Sequence, residues 1–330
     1  MFRIALLSLV VVTILSFIPP PVFNRNSFPK MSTLDVSREV VKKVLAVETP
    51  EGAGALVRRS IGSMNLRNLT PFLMLDHFHV SRGAGFPDHP HRGQATVTYM
   101  LEGSSKHEDS AGHKGTIEAG GVQWMCAGKG IIHAEMPIHL DGAPDPRGLQ
   151  LWVDLPRKFK MADPTYQELG PDQIPTAYPN GPDGAVLVKV ISGKSHGVES
   201  PVRPLGGCWF FHVIFKNEGA MFQDIPSSWT SFIYVLKGEI SIGSAPSPHA
   251  AFHTLVLSSN VNETGVSITG HGEGSEIILV AGEPLDQTVV QYGPFVMTSR
   301  DEIQETLIDY QMGRNGFEKA HTWNSEIAHK

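Results

Sequence analysis

Two short ligand pairs constrain this chain more than any other feature. His89-Pro-His91 opens a run of alternating β-formers, and His133-Ala-Glu135 follows 42 residues beyond His91. In an extended chain residues i and i+2 point to the same side. Each pair therefore aims two side chains into one space, and two such strands converge most simply inside an antiparallel barrel. The surrounding sequence fits that demand. ATVTYMLEG (95–103), GTIEAGGVQWMCAGKGIIHAEMP (115–137) and GLQLWVDL (148–155) read as short strands broken by glycine turns.

A second run of strands follows a Pro-, Gly- and Asp-dense connector at 156–184. AVLVKVISG, CWFFHVIF, SFIYVLKGEISIG, FHTLVLSS, VSITG and EIILVAGEP all read as β. YMLEG in the first half and YVLKG in the second are alike, which suggests duplication of one barrel unit. The end of the chain differs. Ser299 and Glu302 form a capping box, Ile303, Leu307 and Tyr310 share a helical face, and Gly313 ends the helix. The expected architecture is all-β: an N-terminal metal-binding barrel (35–155), the connector (156–184), a C-terminal barrel (185–298), and a helix with a tail (299–330).

Net charge is −6 over 330 residues, which removes the electrostatic footprint of nucleic-acid binding. Two cysteines, Cys126 and Cys208, supply neither a disulfide framework nor a cysteine-based zinc site. Three imidazoles and one carboxylate, from His89, His91, His133 and Glu135, suit a first-row metal such as Fe(II), Mn, Ni or Cu. Four ligands on a six-coordinate ion leave two positions for substrate, dioxygen or water. His77, His107 and His113 are expected to be solvated. Lys129, between two glycines, is a candidate for drawing an anionic ligand to the mouth.

FPDHPHRG, TVTYMLEG, HEDSAGHKG, QWMCAGKGIIHAEMP, LQLWV, SWTSFIYVLKG and AGEPL…QYGPFVM together resemble the pirin family, from about Ser37 to the C-terminus. The resemblance implies two tandem cupin barrels, with one iron, Fe(II) or Fe(III), held in the first by His89, His91, His133 and Glu135. It also implies a metal-free second barrel. Ala95 stands where cupins usually carry a glutamate, so support for the ligands from that position is in question. Two activities accompany the family: quercetin 2,3-dioxygenase chemistry on a flavonol and dioxygen, with Glu135 as general base, and iron-dependent co-regulation of transcription through protein partners. The same four ligands serve both, and a protein-docking scaffold without turnover is a third reading.

The N-terminus carries an apolar run, Ile4 to Ile18, behind Arg3, shorter than the roughly 20 residues that span a bilayer. Three readings are open: an uncleaved anchor, a leader, or an upstream extension with initiation at Met31. Residues 1–34 are expected to lie outside the fold, and membrane contact requires that residues 4–18 be retained. The expected location is nucleus and cytoplasm, with the secretory pathway as the alternative. N-terminal sequencing of the native protein, with a glycosidase shift assay on the sequons at Asn68 and Asn262, checks this. A start at Met31 without sugar is expected; a retained apolar run with sugar overturns it.

Overall fold

A computed structural model describes residues 35–244 and 247–328. The apolar run at 4–18 lies outside the described residues, and among those described no helix is long and apolar enough to cross a membrane. Every ladder between the strands named below is antiparallel. The first barrel has two sheets. One orders the strands Thr165–Leu169, Val122–Cys126, Gln94–Glu102, Arg147–Asp154, Phe72–His79, Ala55–Arg59 and Val47–Glu51. The other orders Phe86–His91, Ile131–Ile138, Ser104–Asp109 and Lys114–Glu118. The second barrel is built on Thr230–Ile242, flanked by His253–Leu257 and by the long strand Gly265–Gly282.

Strict alternation gives each sheet two jobs. In Gln94–Glu102, Thr98 and Met100 enter the first barrel, while Ala95, Val97 and Tyr99 face outward into a shared core. Leu149, Leu151 and Val153 do the same from the neighbouring strand. Phe210, Phe232, Tyr234, Ile278 and Val280 meet them from the second barrel. Phe72 and Phe232 pack edge to face across this junction, centroids 5.1 Å apart. The intervening residues of the second barrel, among them Phe211, Val213, Ile233, Val235 and Leu279, fill its interior with apolar side chains. The paired segments YMLEG and YVLKG take matching places. Tyr99 and Tyr234 both face the shared core, and the closing glycines adopt φ 69° and 72°.

The barrel boundaries read from the sequence are crossed at both ends. Val40–Leu45, assigned to the first barrel, pairs with His253–Leu257 of the second sheet. Thr165–Leu169, assigned to the connector, extends the first sheet beside Val122–Cys126. Edge strands left unpaired expose a row of backbone donors and acceptors, and these exchanges cover them. The helix Arg300–Met312 is capped by Ser299, whose hydroxyl accepts from the Glu302 amide at 3.2 Å, and ends at Gly313 with φ 62°. Its face of Ile303, Leu307 and Tyr310 packs on Ile132, Phe295 and Phe317, against the first barrel.

His77 is a second correction. It is half-buried rather than solvated: its Nδ1 lies 3.1 Å from the Tyr234 hydroxyl, and its ring packs on Tyr234 and Phe252 of the second barrel. Burial, with the charges of Arg147 and Arg58, lowers its pKa to about 4. In the unfolded chain an imidazole titrates near 6.5, so the unfolded state takes up the proton first as pH falls. Stability held above pH 6.5 is therefore lost toward pH 4. Between pH 7 and 4.5 this one group accounts for about 2–3 kcal/mol. Denaturant unfolding at the two pH values should show a drop smaller by that amount in His77→Gln.

Candidate metal centre

The two ligand strands lie side by side. Phe86–His91 pairs with Ile131–Ile138 so that His91 stands opposite Ile131 and His89 opposite His133. A register shift between His133 and Glu135 then sets Glu135 across from Phe86. His89, His91 and His133 bring one nitrogen each to within 4.8 Å of one another. The Nε2 atoms of His89 and His133 are 2.9 Å apart, and His91 Nε2 is buried without a hydrogen-bond partner. Two bonds of about 2.1 Å meeting at a right angle would separate their nitrogens by about 3 Å, so the imidazoles fit a shared ion.

The far sides of the His89 and His91 rings are held. His89 Nδ1–H donates to the Pro87 carbonyl at 2.7 Å, which leaves Nε2 with its lone pair. His91 Nδ1 lies 2.8 Å from the Gln94 amide. Burial, reinforced by the neighbouring imidazoles, lowers the pKa of His91 and of His133 well below the usual value, so both stay neutral and able to ligate. Ala95 points into the core between the barrels. The polar support in question at that position comes instead from Gln94, one residue earlier and on the inner face.

Glu135 is buried on the same strand, outside the group of three close nitrogens. Its Oε1 accepts from Thr98 Oγ1 at 2.7 Å and its Oε2 from Gln150 Nε2 at 2.7 Å. Trp152 Nε1 in turn donates to Gln150 Oε1 at 2.9 Å, and its ring stands perpendicular to His91 with centroids 5.1 Å apart. Thr98, Gln150, Trp152 and Gln94 were not singled out from the sequence. The available signal was a polar residue at an inward position of an otherwise apolar strand, as in TVTYM and LQLWV.

A cavity of about 530 Å³ opens beside the histidines, with His89, Gln150 and Trp152 on one wall and Met74, Phe78 and Phe86 on others. Arg59 also lines it, forked onto Asp76 through Nε–Oδ1 at 2.8 Å and Nη2–Oδ2 at 2.6 Å. His107 is not solvated as expected: it is buried and its Nε2–H donates to Glu168 at 2.8 Å, because Thr165–Leu169 folds over it. His113 keeps one half-exposed face and pairs through Nδ1 with buried Asp109 at 2.9 Å. Lys129 does not line the cavity; its ammonium pairs with Asp163 at 2.6 Å.

Comparison with known proteins agrees with this architecture. The pirin family model matches residues 54–153, and the pirin C-terminal cupin domain matches 210–316. This chain belongs to the pirin family. It is 47% identical to a pirin-like protein of Solanum lycopersicum over 88% of this chain and 97% of that one. It is 44% identical to pirin of Homo sapiens, covering 88% and 98%. Among solved structures, a quercetin 2,3-dioxygenase from Acinetobacter baumannii superposes with TM-score 0.77 at 26% identity, over 86% of this chain and 99% of that one.

Removing one of three converging imidazoles from this pirin-family centre leaves too few neutral donors to retain an ion. Metal analysis of protein purified without chelator should give about one equivalent for the wild type and close to none for His133→Ala.

Proposed function

We propose that this pirin-family chain holds one iron through His89, His91, His133 and Glu135 and opens flavonols with dioxygen, the chemistry named for its Acinetobacter baumannii neighbour. The observation that carries this reading is the cavity of about 530 Å³, whose lining combines Phe78, Phe86, Trp152 and Met74 with charged residues such as Arg59 and Asp76 and includes His89. That volume lies within the range of small-molecule sites and admits a flat ligand of three rings. The three close imidazoles support an iron site, and the likeness to the dioxygenase supports the substrate class.

Iron, when bound, supplies Lewis acidity and the one-electron chemistry that dioxygen requires. The protein supplies the rest. Trp152, Phe78 and Phe86 bracket the flat rings and exclude water. Glu135 lies behind Gln150 rather than on the cavity wall, and it takes the proton of the flavonol 3-hydroxyl once the ligand displaces the Gln150 amide, which makes the ring electron-rich. The two ring bonds to the hydroxyl-bearing carbon then break and that carbon leaves as carbon monoxide. The two atoms of dioxygen end on its former neighbours, so no further oxidant is needed.

Iron-loaded protein incubated aerobically with quercetin should release carbon monoxide as the flavonol absorbance falls. Glu135→Gln should slow turnover by about 100-fold or more. Retained iron without carbon monoxide from the wild type overturns the enzymatic reading and favours the other family activity, a redox-switched protein partner.

A further inference from the structure

Gln150 occupies a place between the cavity and the buried carboxylate. It sits on Arg147–Asp154, where its backbone neighbours are Thr98 on one side and Asp76 on the other. Its side chain lines the cavity, as does that of Trp152, whereas Glu135 is not among the lining residues. Three hydrogen bonds run in one direction: Trp152 Nε1–H to Gln150 Oε1 at 2.9 Å, Gln150 Nε2–H to Glu135 Oε2 at 2.7 Å, and Thr98 Oγ1–H to Glu135 Oε1 at 2.7 Å.

The direction is fixed by chemistry. An indole N–H only donates, so the atom of Gln150 facing Trp152 must be the amide oxygen. That leaves the amide nitrogen facing Glu135. A flipped amide would set N–H against N–H and a carbonyl against a carboxylate, losing both bonds. Trp152 is itself wedged edge-on against His91. One amide thus links an indole that touches a histidine of the cluster to the carboxylate on the facing strand.

We infer that Gln150 is a positioning residue for Glu135: with its amide locked by Trp152, it holds one carboxylate oxygen so that the remaining lone pairs face the three imidazoles. This rests on the reading of Glu135 as the fourth ligand. Gln150 does not touch the ion. It acts through Glu135, and because it also forms cavity wall, a ligand that displaces its amide also moves the carboxylate.

Cobalt(II) as a visible-absorption probe tests this, with circular dichroism confirming that each variant is folded. In the wild type, titration gives an affinity and a d–d band pattern set by the donor set. Glu135→Gln should change both. Gln150→Leu keeps the ligand but removes the donor; it should weaken cobalt binding by about 10-fold or more and shift the bands in the direction of Glu135→Gln. Trp152→Phe keeps a ring against His91 and removes only the lock, and it should shift the same bands less far. If Gln150→Leu and Trp152→Phe both retain wild-type bands and affinity while Glu135→Gln does not, Gln150 has no positioning role and the ligand reading stands. If Glu135→Gln itself leaves bands and affinity unchanged, the carboxylate is not a ligand and both readings fall. Should Gln150→Leu not fold, Trp152→Phe decides alone: wild-type bands overturn the proposal.

Discussion

The guanidinium of Arg92, one residue beyond His91, ties the strand that carries His89 and His91 to the rest of the chain. Only 1% of the residue is exposed. Its Nε donates to the Lys129 carbonyl at 2.6 Å, in the turn that leads into His133. Nη1 reaches Thr306 Oγ1 at 3.1 Å and Asp309 Oδ2 at 3.0 Å on the C-terminal helix, and Nη2 reaches the Asn315 carbonyl at 2.6 Å. The face of the group lies over Phe317, 4.6 Å from the ring centroid. A buried charge left without its partner costs about 3–5 kcal/mol, so these contacts stand or fall together. The helix and tail are therefore part of the frame that holds Phe86–His91 and Ile131–Ile138 in register.

A second buried charge works beside it. Lys160 Nζ bonds Asp154 Oδ1 at 2.5 Å and the carbonyls of Gly93 and Val296 at 2.9 and 2.8 Å. Gly93 is the turn that follows His91 and Arg92. Its φ is 77°, and a β-carbon there would lie 1.9 Å from the Val296 carbonyl oxygen. Only glycine lets the segment 294–297 pass that closely. Ammonium and guanidinium thus divide their donors between carboxylates and the backbone carbonyls of Gly93, Lys129, Val296 and Asn315.

The junction between barrels explains why the chain reads as two domains yet packs as one unit over the described residues. Each barrel turns an apolar outer face toward the other, and a few polar pins cross the seam. The Tyr99 hydroxyl donates to His212 Nδ1 at 3.0 Å, and His212 Nε2–H donates to Glu276 at 3.2 Å. Burial lowers the His212 pKa, which keeps Nδ1 an acceptor for Tyr99. His77 and Tyr234 make a similar crossing.

Period-two alternation made the strands, the matching segments of the two barrels and the shared facing of each i, i+2 pair legible, because the side a residue faces is settled by its neighbours two positions away. The cap at Ser299 and the stop at Gly313 were legible for the same local reason. What lies across from each face is not local. His77 and His107 read as solvated because a polar residue on a strand looks alike whether it meets water, a second barrel or a folded-back connector strand. Gln94, Thr98, Gln150 and Trp152 come from two strands far apart in the chain, and their roles around His91 and Glu135 exist only once sheet register sets them side by side. The sequence by itself determined which residues share a face; tertiary structure decided what each face meets, because that pairing is made between strands far apart in the chain.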